Sequence, residues 1–329
     1  MARKLNFGVI GCGGIARGHV KRLLEMPECN IVALMDTDRK RLSAMKKAFP
    51  AVEDVREFDS HKAMIRAGGL HAVVICSPHV FHYRQIVDSL RAGLHVLTEK
   101  PMVCSIAHAK KVMEEEEKAG KVLAISYQRH AMAQFQFIRN AIAGGAPGKV
   151  KFISALQGQE WLRSQKGKWR QVMDISCGGQ LNDSGSHLID IILWMTGLEP
   201  AEVSASIDNS GREVDINSAL SVRFKGGALG AFSIIGSWPG GFWEEITITC
   251  ERWNFLLRNG QLTYTTGTRG ELHTVEEFRY GAGSPGQNFV EAIRGRAEVL
   301  APSICGLRAI QLTEAAWKSG ATGKPAKLR

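Results

Sequence analysis

Short apolar runs alternate with amphipathic helical patterns over the first 126 residues of the chain. The first run, Leu5–Ile10, ends at glycines, and a pattern of helical period follows over residues 15–24. Because the same order recurs along this segment, we predict repeated β-α-β units and a parallel sheet. Further strands are predicted at residues 31–35, 72–76, 95–98 and 122–126, and further helices at residues 39–49, 60–67, 81–92 and 106–119.

Strand-like runs follow one another directly in the second half of the chain, with turn residues between them. Long helical crossovers are mostly missing, which favours a largely antiparallel sheet. We expect a helix over residues 181–195 on one face of this sheet and a C-terminal helix from about Gln287. Strands are predicted at residues 150–156, 201–207, 219–224, 228–235, 245–250 and 254–257.

These patterns predict two domains. Residues 1–126 form a doubly wound α/β domain of the Rossmann type, and residues 127–329 form an α+β domain with a large, open, mainly antiparallel sheet. A chain of 329 residues with 44% hydrophobic and 22% charged residues is long enough to bury two cores.

The chain carries no pattern that predicts a membrane or export segment. Its apolar runs stay well below the roughly 20 residues that a membrane span needs. The start, residues 1–5, continues into a strand without the apolar core and cleavage site of a signal peptide. We therefore expect a cytoplasmic protein without a membrane partner.

The formal net charge of +10 raises the question of a nucleic-acid partner. The basic residues are spread along the chain and form no aromatic-interleaved stripe, so solvated helix faces are the favoured interpretation and no nucleic acid is expected. A second interpretation stays open, in which the positive field attracts an anionic cofactor or a phosphorylated substrate.

The seven cysteines are odd in number, scattered, and never spaced as Cys-x-x-Cys. Reduced thiols are therefore expected, without a zinc site or a disulfide framework. No metal site is predicted.

The glycine turn after the first strand has the spacing G-x-G-x-x-A, between a strand and a helix. Gly11 permits the tight turn, Gly13 lets the backbone approach a pyrophosphate, and Ala16 lets the helix lie close to the strand. The helix start at Gly14 and Ile15 offers free N–H groups to the phosphates. This motif predicts a dinucleotide site.

The residue that ends the second strand favours NAD as the cofactor. Asp36 stands 20 residues after Ala16, where a carboxylate accepts hydrogen bonds from the adenosine ribose hydroxyls. A 2′-phosphate would meet Asp36 and Asp38 as like charges. NADP is the less favoured alternative, because Arg39 or Lys40 could offset them.

Polar residues also follow the third and fourth predicted strands. Ser77, Pro78 and His79 are expected beside the ribose and nicotinamide, although His79 and His82 also fit as loop and helix-surface residues. Lys100 follows the strand at residues 95–98, at the sheet edge where doubly wound folds bind ligands. Its ammonium is suited to stabilise a developing alkoxide, although a surface lysine in a turn remains the alternative.

Asp183, His187 and Asp190 are spaced i, i+4 and i+7, which predicts one face of a helix. Histidine titrates near neutral pH, so His187 is the candidate general base for a hydroxyl proton. Asp183 is expected to bind substrate hydroxyls or to orient His187 and Lys100. The alternative is a helix cap followed by a surface histidine.

Several of these motifs together resemble one family. The chain is similar along its length to the glucose-fructose oxidoreductase and inositol dehydrogenase family, Gfo/Idh/MocA. The matching residues are Gly11 to Ala16, Ser77-Pro78-His79 with His82, Ala92-Gly93 followed by Glu99-Lys100-Pro101, the run from Gly178 to His187, Asn288 to Ile293, and Ser319 to Lys324.

The resemblance implies hydride transfer between NAD and a secondary alcohol of a sugar, cyclitol or related polyol. It implies that Glu99 and Lys100 lie at the cofactor, that Lys100 contacts the reacting hydroxyl, and that the Lys100–Pro101 bond is cis. The segment at residues 127–130 faces the cleft in similar proteins. The substrate-pocket candidates are therefore Gln128, Arg129, Trp161 and Trp169, with Asp183 and His187.

Three alternatives of function stay open. Some relatives cleave glycosides by transient oxidation with a tightly held NAD, and a nicotinamide-binding regulatory protein would keep the fold without the chemistry. Biliverdin reduction and dihydrodiol oxidation also occur in the superfamily. Apolar residues on an open antiparallel sheet further predict a homodimer or homotetramer through the C-terminal sheet.

Overall fold

The computed structural model describes residues 4–267, 270–275 and 283–328. Of the start of the chain discussed above, residues 1–5, the first three residues therefore lie outside the described part. The chain divides into two compact units. Unit 1 comprises residues 1–127 and 283–306, and unit 2 comprises residues 128–282 and 307–329. Residues 283–306 belong to unit 1 although they follow most of unit 2 in sequence, which the predicted boundary near residue 126 does not anticipate.

Unit 1 contains a six-stranded parallel sheet in the order β3-β2-β1-β4-β5-β6, which confirms the doubly wound prediction. Its elements are β1 (Leu5–Ile10), α1 (Gly14–Leu24), β2 (Cys29–Met35), α2 (Arg39–Ala48), β3 (Arg56–Phe58), α3 (His61–Arg66), β4 (Ala72–Ile75), α4 (His79–Arg91), β5 (His95–Thr98), α5 (Ile106–Ala119) and β6 (Leu123–Ile125).

The central strands of this sheet are buried on both faces, as parallel strands covered by helices must be. All four residues of β4 are buried, and α1 packs its apolar stripe, including Val20 and Leu23, into the same core. Gly93 and Gly120 follow α4 and α5 with φ of 74° and 58°, the left-handed conformation that ends a helix at lowest strain with glycine. These ends fix where β5 and β6 begin.

Unit 2 is built on a nine-stranded sheet in the order β14-β13-β12-β11-β7-β10-β9-β8-β15. Every neighbouring pair is antiparallel except β7 with β10, which confirms a mainly antiparallel sheet. Its elements up to residue 274 are α6 (Ala133–Ala143), β7 (Val150–Gly158), α7 (Met173–Ser176), α8 (Gly185–Thr196), β8 (Pro200–Asp208), β9 (Asn217–Phe224), β10 (Leu229–Ile235), β11 (Trp243–Cys250), β12 (Trp253–Arg258), β13 (Gln261–Thr266) and β14 (Glu271–Thr274). The C-terminal elements of the chain are α9 (Pro285–Ile293), which belongs to unit 1, α10 (Ser303–Thr322), most of which belongs to unit 2, and β15 (Ala326–Lys327) of unit 2.

Alternate residues of β9, β10 and β11 are buried, so one face of the sheet packs into the core and the other is open. Helix α8 is buried along almost its whole length, and it contacts α6 and β7. The buried face therefore carries the helix that contains His187.

Three predictions need correction, two of them about the second half of the chain. The helix predicted over residues 181–195 begins only at Gly185, so Asp183 lies in the preceding loop, because residues 177–183 close a turn of their own. The C-terminal helix is two helices, α9 and α10, and helix α6 was missed. The free cysteines are Cys12, Cys29, Cys76, Cys250 and Cys305, whereas Cys104 is oxidised to a disulfide and so is Cys177, so the expectation of uniformly reduced thiols is wrong.

Candidate active site

The glycine turn of unit 1 has the shape that a dinucleotide needs. Gly11 has φ of 86°, and a Cβ there would lie 2.7 Å from the backbone N of Ser77, so only glycine fits. A Cβ on Gly13 or Gly14 would meet no described atom within 4 Å, which leaves the start of α1 open. Ile15 is exposed and Ala16 is fully buried. This open, glycine-lined helix start fits a pyrophosphate.

Asp36 is buried at the end of β2 and is held by the turn itself. The backbone N–H of Cys12 donates to its Oδ2 at 2.8 Å, and the N–H of Asp38 donates to its Oδ1 at 2.9 Å. Each carboxylate oxygen keeps a second lone pair for a ribose hydroxyl. Nη1 of Arg41 lies 3.9 Å from Oδ2 of Asp36, so a positive charge is also near this carboxylate. No motif in the sequence predicts a role for Arg41.

The loop after β4 is tied to the loop that carries the lysine. Pro78 precedes α4 and Ser77 donates to Gln85 at 2.6 Å, while His79 and His82 are both buried rather than on the helix surface. The ring nitrogens of His82 lie 2.8 Å from the carbonyl oxygens of Pro101 and Ser77. Burial lowers the pKa of His82. Its side chain therefore connects two loops of the protein, and these contacts occupy both of its ring nitrogens.

Glu99 is likewise engaged by protein groups. Its Oε1 lies 2.8 Å from Nε2 of His19, a buried residue of α1, and its Oε2 accepts the N–H of Lys100 at 3.3 Å. Burial alone raises the pKa of Glu99, but the hydrogen bond and charge of His19 and the charge of Lys100 outweigh it, and the pKa is lowered. No motif in the sequence predicts a role for His19. The pair joins the nucleotide-binding helix to the half-buried Lys100, whose bond to Pro101 is cis, as expected.

In unit 2, Asp183 is 4% exposed and is held by two donors. The indole N–H of Trp161 donates to its Oδ2 at 3.0 Å, and Nε of Arg170 donates to the same atom at 2.9 Å. The Arg170 guanidinium lies 4.4 Å from the ring centroid of Trp169. Trp161 and Trp169 therefore act on Asp183, directly and through Arg170, and Arg170 is a residue that the sequence analysis missed.

The loop before Asp183 is fixed by Asp215, another missed residue. Asp215 accepts the N–H of Gly179 at 3.0 Å, the N–H of Leu181 at 2.7 Å and the indole N–H of Trp317 at 2.9 Å. A Cβ on Gly179 would lie 1.8 Å from the Asp215 carbonyl oxygen. Burial raises the pKa of Asp215, and the donated N–H groups partly offset this rise.

His187 lines a cleft of about 500 Å³ within unit 2. Gln128 and Arg129 line it too, whereas Trp161 and Trp169 are not among its described lining residues. The other lining residues are Met132, Gln134, Phe135, Gln157, Gln159, Ser184, Phe242, Glu244, Asn259 and Gly260. Most of its lining residues are polar in type, and its size is that of a small-molecule site.

Asp190 faces away from solvent, three residues after His187 on α8. Its Oδ2 lies 2.6 Å from Nε2 of His130, and both side chains are buried. The His130 ring packs 4.3 Å from Trp194. Burial raises the pKa of Asp190 while the His130 contact opposes the rise. Asp190 thus fixes His130, the residue that follows Arg129 of the cleft lining.

Both units match family models over most of the chain. Residues 5–127 match the oxidoreductase family with an NAD-binding Rossmann fold, and residues 135–255 match the GFO/IDH/MocA C-terminal domain. The cofactor predicted from the glycine turn and Asp36, NAD, is thereby confirmed. In the described part of the chain, no helix has the length and apolar character to cross a membrane.

Curated proteins and solved structures resemble the chain as well. Myo-inositol 2-dehydrogenase of Thermotoga maritima is 28% identical over 69% of this chain and 67% of its own length. D-glucoside 3-dehydrogenase of Escherichia coli is 27% identical over 59% of this chain and 54% of its own length. The chain spans about half the length of several curated relatives that it matches.

A levoglucosan dehydrogenase, solved with NADH and levoglucosan, has a TM-score of 0.89 at 19% identity over 99% of this chain and 100% of its own. That likeness concerns the fold. The family models, the nucleotide turn and the arrangement around Asp183 agree with one another, and the chain belongs to the Gfo/Idh/MocA oxidoreductase family.

Proposed function

We propose that this protein oxidises a secondary alcohol of a sugar, cyclitol or related polyol with NAD, or runs the reverse reduction. The observation that carries the proposal is His187, half-buried in a polar cleft, four residues after a carboxylate that is held by Trp161 and Arg170. A base that takes the hydroxyl proton is what alcohol oxidation requires, and a fixed carboxylate can hold another hydroxyl of the substrate. The matching relatives named as dehydrogenases act on inositol and glucosides, which supports the same class.

Each residue has a defined part in this proposal. Gly11, Gly13 and Asp36 hold the dinucleotide, and the bound nicotinamide supplies the acceptor for hydride. His187 removes the hydroxyl proton of the substrate. Lys100 stabilises the developing alkoxide, and Asp183 accepts a hydrogen bond from a substrate hydroxyl.

The test is a panel of sugars and cyclitols with NAD and NADP, followed by absorbance of the reduced cofactor. We expect Lys100→Ala and His187→Ala each to lower turnover on the order of 100-fold or more, because each removes a preorganised group from the reacting hydroxyl. Lys110→Ala, an exposed lysine of α5, is the matched control and should keep wild-type turnover. Turnover near wild type in both site variants would contradict the proposal.

We also propose that copies of the chain associate through the open face of the second sheet, in a cytoplasmic protein. Phe152, Leu229 and Leu256 are exposed on this face, and the strand register places Phe152 beside Leu229. Association buries such apolar side chains. Light scattering should give a dimer or tetramer mass, Leu229→Asp should lower it, and Phe81→Asp in unit 1 should leave it unchanged.

A further inference from the structure

The cleft beside His187 is lined by amides rather than by free cations. Glutamine and asparagine side chains contribute five of its described lining residues: Gln128, Gln134, Gln157, Gln159 and Asn259. An amide both donates and accepts hydrogen bonds, as a hydroxyl group does. Such a wall matches a molecule with many hydroxyl groups, whereas a phosphate or carboxylate site is built from unpaired Arg or Lys and N–H donors.

Arg129 is the single Arg or Lys among the described residues that line this cleft, and it is already paired. Its Nη2 lies 2.6 Å from Oε2 of Glu244, and both side chains are over 90% buried. Gln157 stands beside Glu244 in the register of β7 and β11, and with its amide turned it accepts from Nη2 of Arg129 at 3.2 Å. The guanidinium charge is therefore neutralised within the wall.

One nitrogen of this guanidinium makes no hydrogen bond to a described residue. Nη1 of Arg129 is buried and has no hydrogen-bond partner among the described residues. A buried donor without an acceptor is costly, so a substrate oxygen that meets it gains affinity. Phe242, 51% exposed, adds an apolar ring to the same lining, suited to the C–H face of a sugar or cyclitol ring.

We infer that this cleft takes an uncharged, ring-shaped polyol, with a hydroxyl oxygen on Nη1 of Arg129, and that Glu244 makes the cleft select against phosphorylated and carboxylated sugars. The inference rests on the proposed function for the use of the site. The net charge of the chain left open whether its positive field attracts a phosphorylated substrate. Under this inference it does not, because the substrate meets the local charge of the lining and not the overall charge.

The experiment compares methyl β-D-glucoside with methyl β-D-glucuronide, which differ by one carboxylate, and myo-inositol with myo-inositol 1-phosphate. For the wild-type protein we expect kcat/KM to favour the neutral member of each pair by about 10-fold or more, because the arginine that lines the cleft is already paired with Glu244. Glu244→Gln keeps the shape and frees the charge of Arg129. It should shift the glucuronide-to-glucoside ratio by about 10- to 100-fold toward the glucuronide, the value of one charge-assisted hydrogen bond.

The control is Glu245→Gln, the next residue of β11, whose side chain pairs with Arg258 on the opposite face of the sheet at 3.0 Å. It should leave the ratio unchanged. A wild-type preference for the anionic members, or the same ratio in Glu244→Gln as in wild type, would overturn the inference. The wild-type comparison decides the matter even if Glu244→Gln fails to fold.

Binding separates this inference from the proposed function. Saturation-transfer NMR measures the same four compounds without turnover. If the neutral compounds bind in preference but none reduces NAD, the redox proposal fails and the substrate class stands. If the anionic compounds bind in preference, or none of the four binds, the substrate class is wrong whatever the turnover.

Discussion

Replacement of Asp215 by asparagine tests how the loop before Asp183 is held. Oδ1 of Asp215 accepts from Gly179 and Trp317, and Oδ2 accepts from Leu181, in a site that is 4% exposed. An asparagine has one acceptor oxygen, so in either orientation at least one of these donors faces an amide N–H. A lost charge-assisted hydrogen bond is worth about 1.5 to 3 kcal/mol, and a buried donor left without an acceptor costs about 1 to 3 kcal/mol. We expect the free energy of unfolding to fall by about 2 to 4 kcal/mol.

Urea unfolding followed by circular dichroism measures this change. The control is Asp208→Asn, because Asp208 also accepts three hydrogen bonds, from Ser210 and Asn217, but is exposed. Water replaces those bonds, so we expect a clearly smaller loss than in Asp215→Asn. Asp215→Asn should also lower NAD-dependent turnover, since the loop places Asp183. Equal losses of stability in the two variants would refute the reasoning.

Two further changes probe unit 1. Gly13→Ala should keep wild-type stability, because its Cβ enters open space, but should weaken NAD binding in a calorimetric titration, whereas Gly11→Ala should lower stability by about 1 to 3 kcal/mol through its clash. An unchanged affinity for NAD in Gly13→Ala would contradict this view of the turn. Hydrogen bonding to Arg91 lowers the pKa of Glu115 from 4.5 to about 2, so its stabilising effect is complete above pH 4.5 and is lost as the pH falls toward 2. Glu115→Gln should weaken the dependence of the free energy of unfolding on pH over that range, whereas Glu117→Gln, at an exposed position, should leave it unchanged. The same pH dependence in both variants would be inconsistent with the ion pair.

Local patterns predicted much of unit 1. The alternation of apolar runs and helical patterns indicates parallel strands, since each run is too short for a buried helix and ends at a turn residue. The glycine turn and Asp36 were found because their spacing is fixed by one strand, one turn and one helix. Boundaries were less certain where a polar loop resembles a helix, as before Gly185.

The partners of the candidate site were beyond such patterns. His19 and Glu99 are 80 residues apart, and Trp161 and Arg170 reach Asp183 from a loop whose sequence carries no periodicity. A polar residue in a sequence has no visible partner until the chain brings one to it. His82 fits a helix surface equally well by sequence, and only packing turns it inward between two carbonyl groups.

The sequence by itself determined most of the alternation of strands and helices in unit 1, the nucleotide turn and the chemical types of the candidate catalytic groups, because these depend on neighbours within a few turns of chain. Only the tertiary structure decided which acidic side chains are paired with a basic residue, and with which basic residue each is paired. Gln157 and Glu244 become neighbours only through the register of two antiparallel strands, and a shift of one residue along either strand would place the two side chains on opposite faces of the sheet. The charge that the cleft presents is therefore a property of strand pairing.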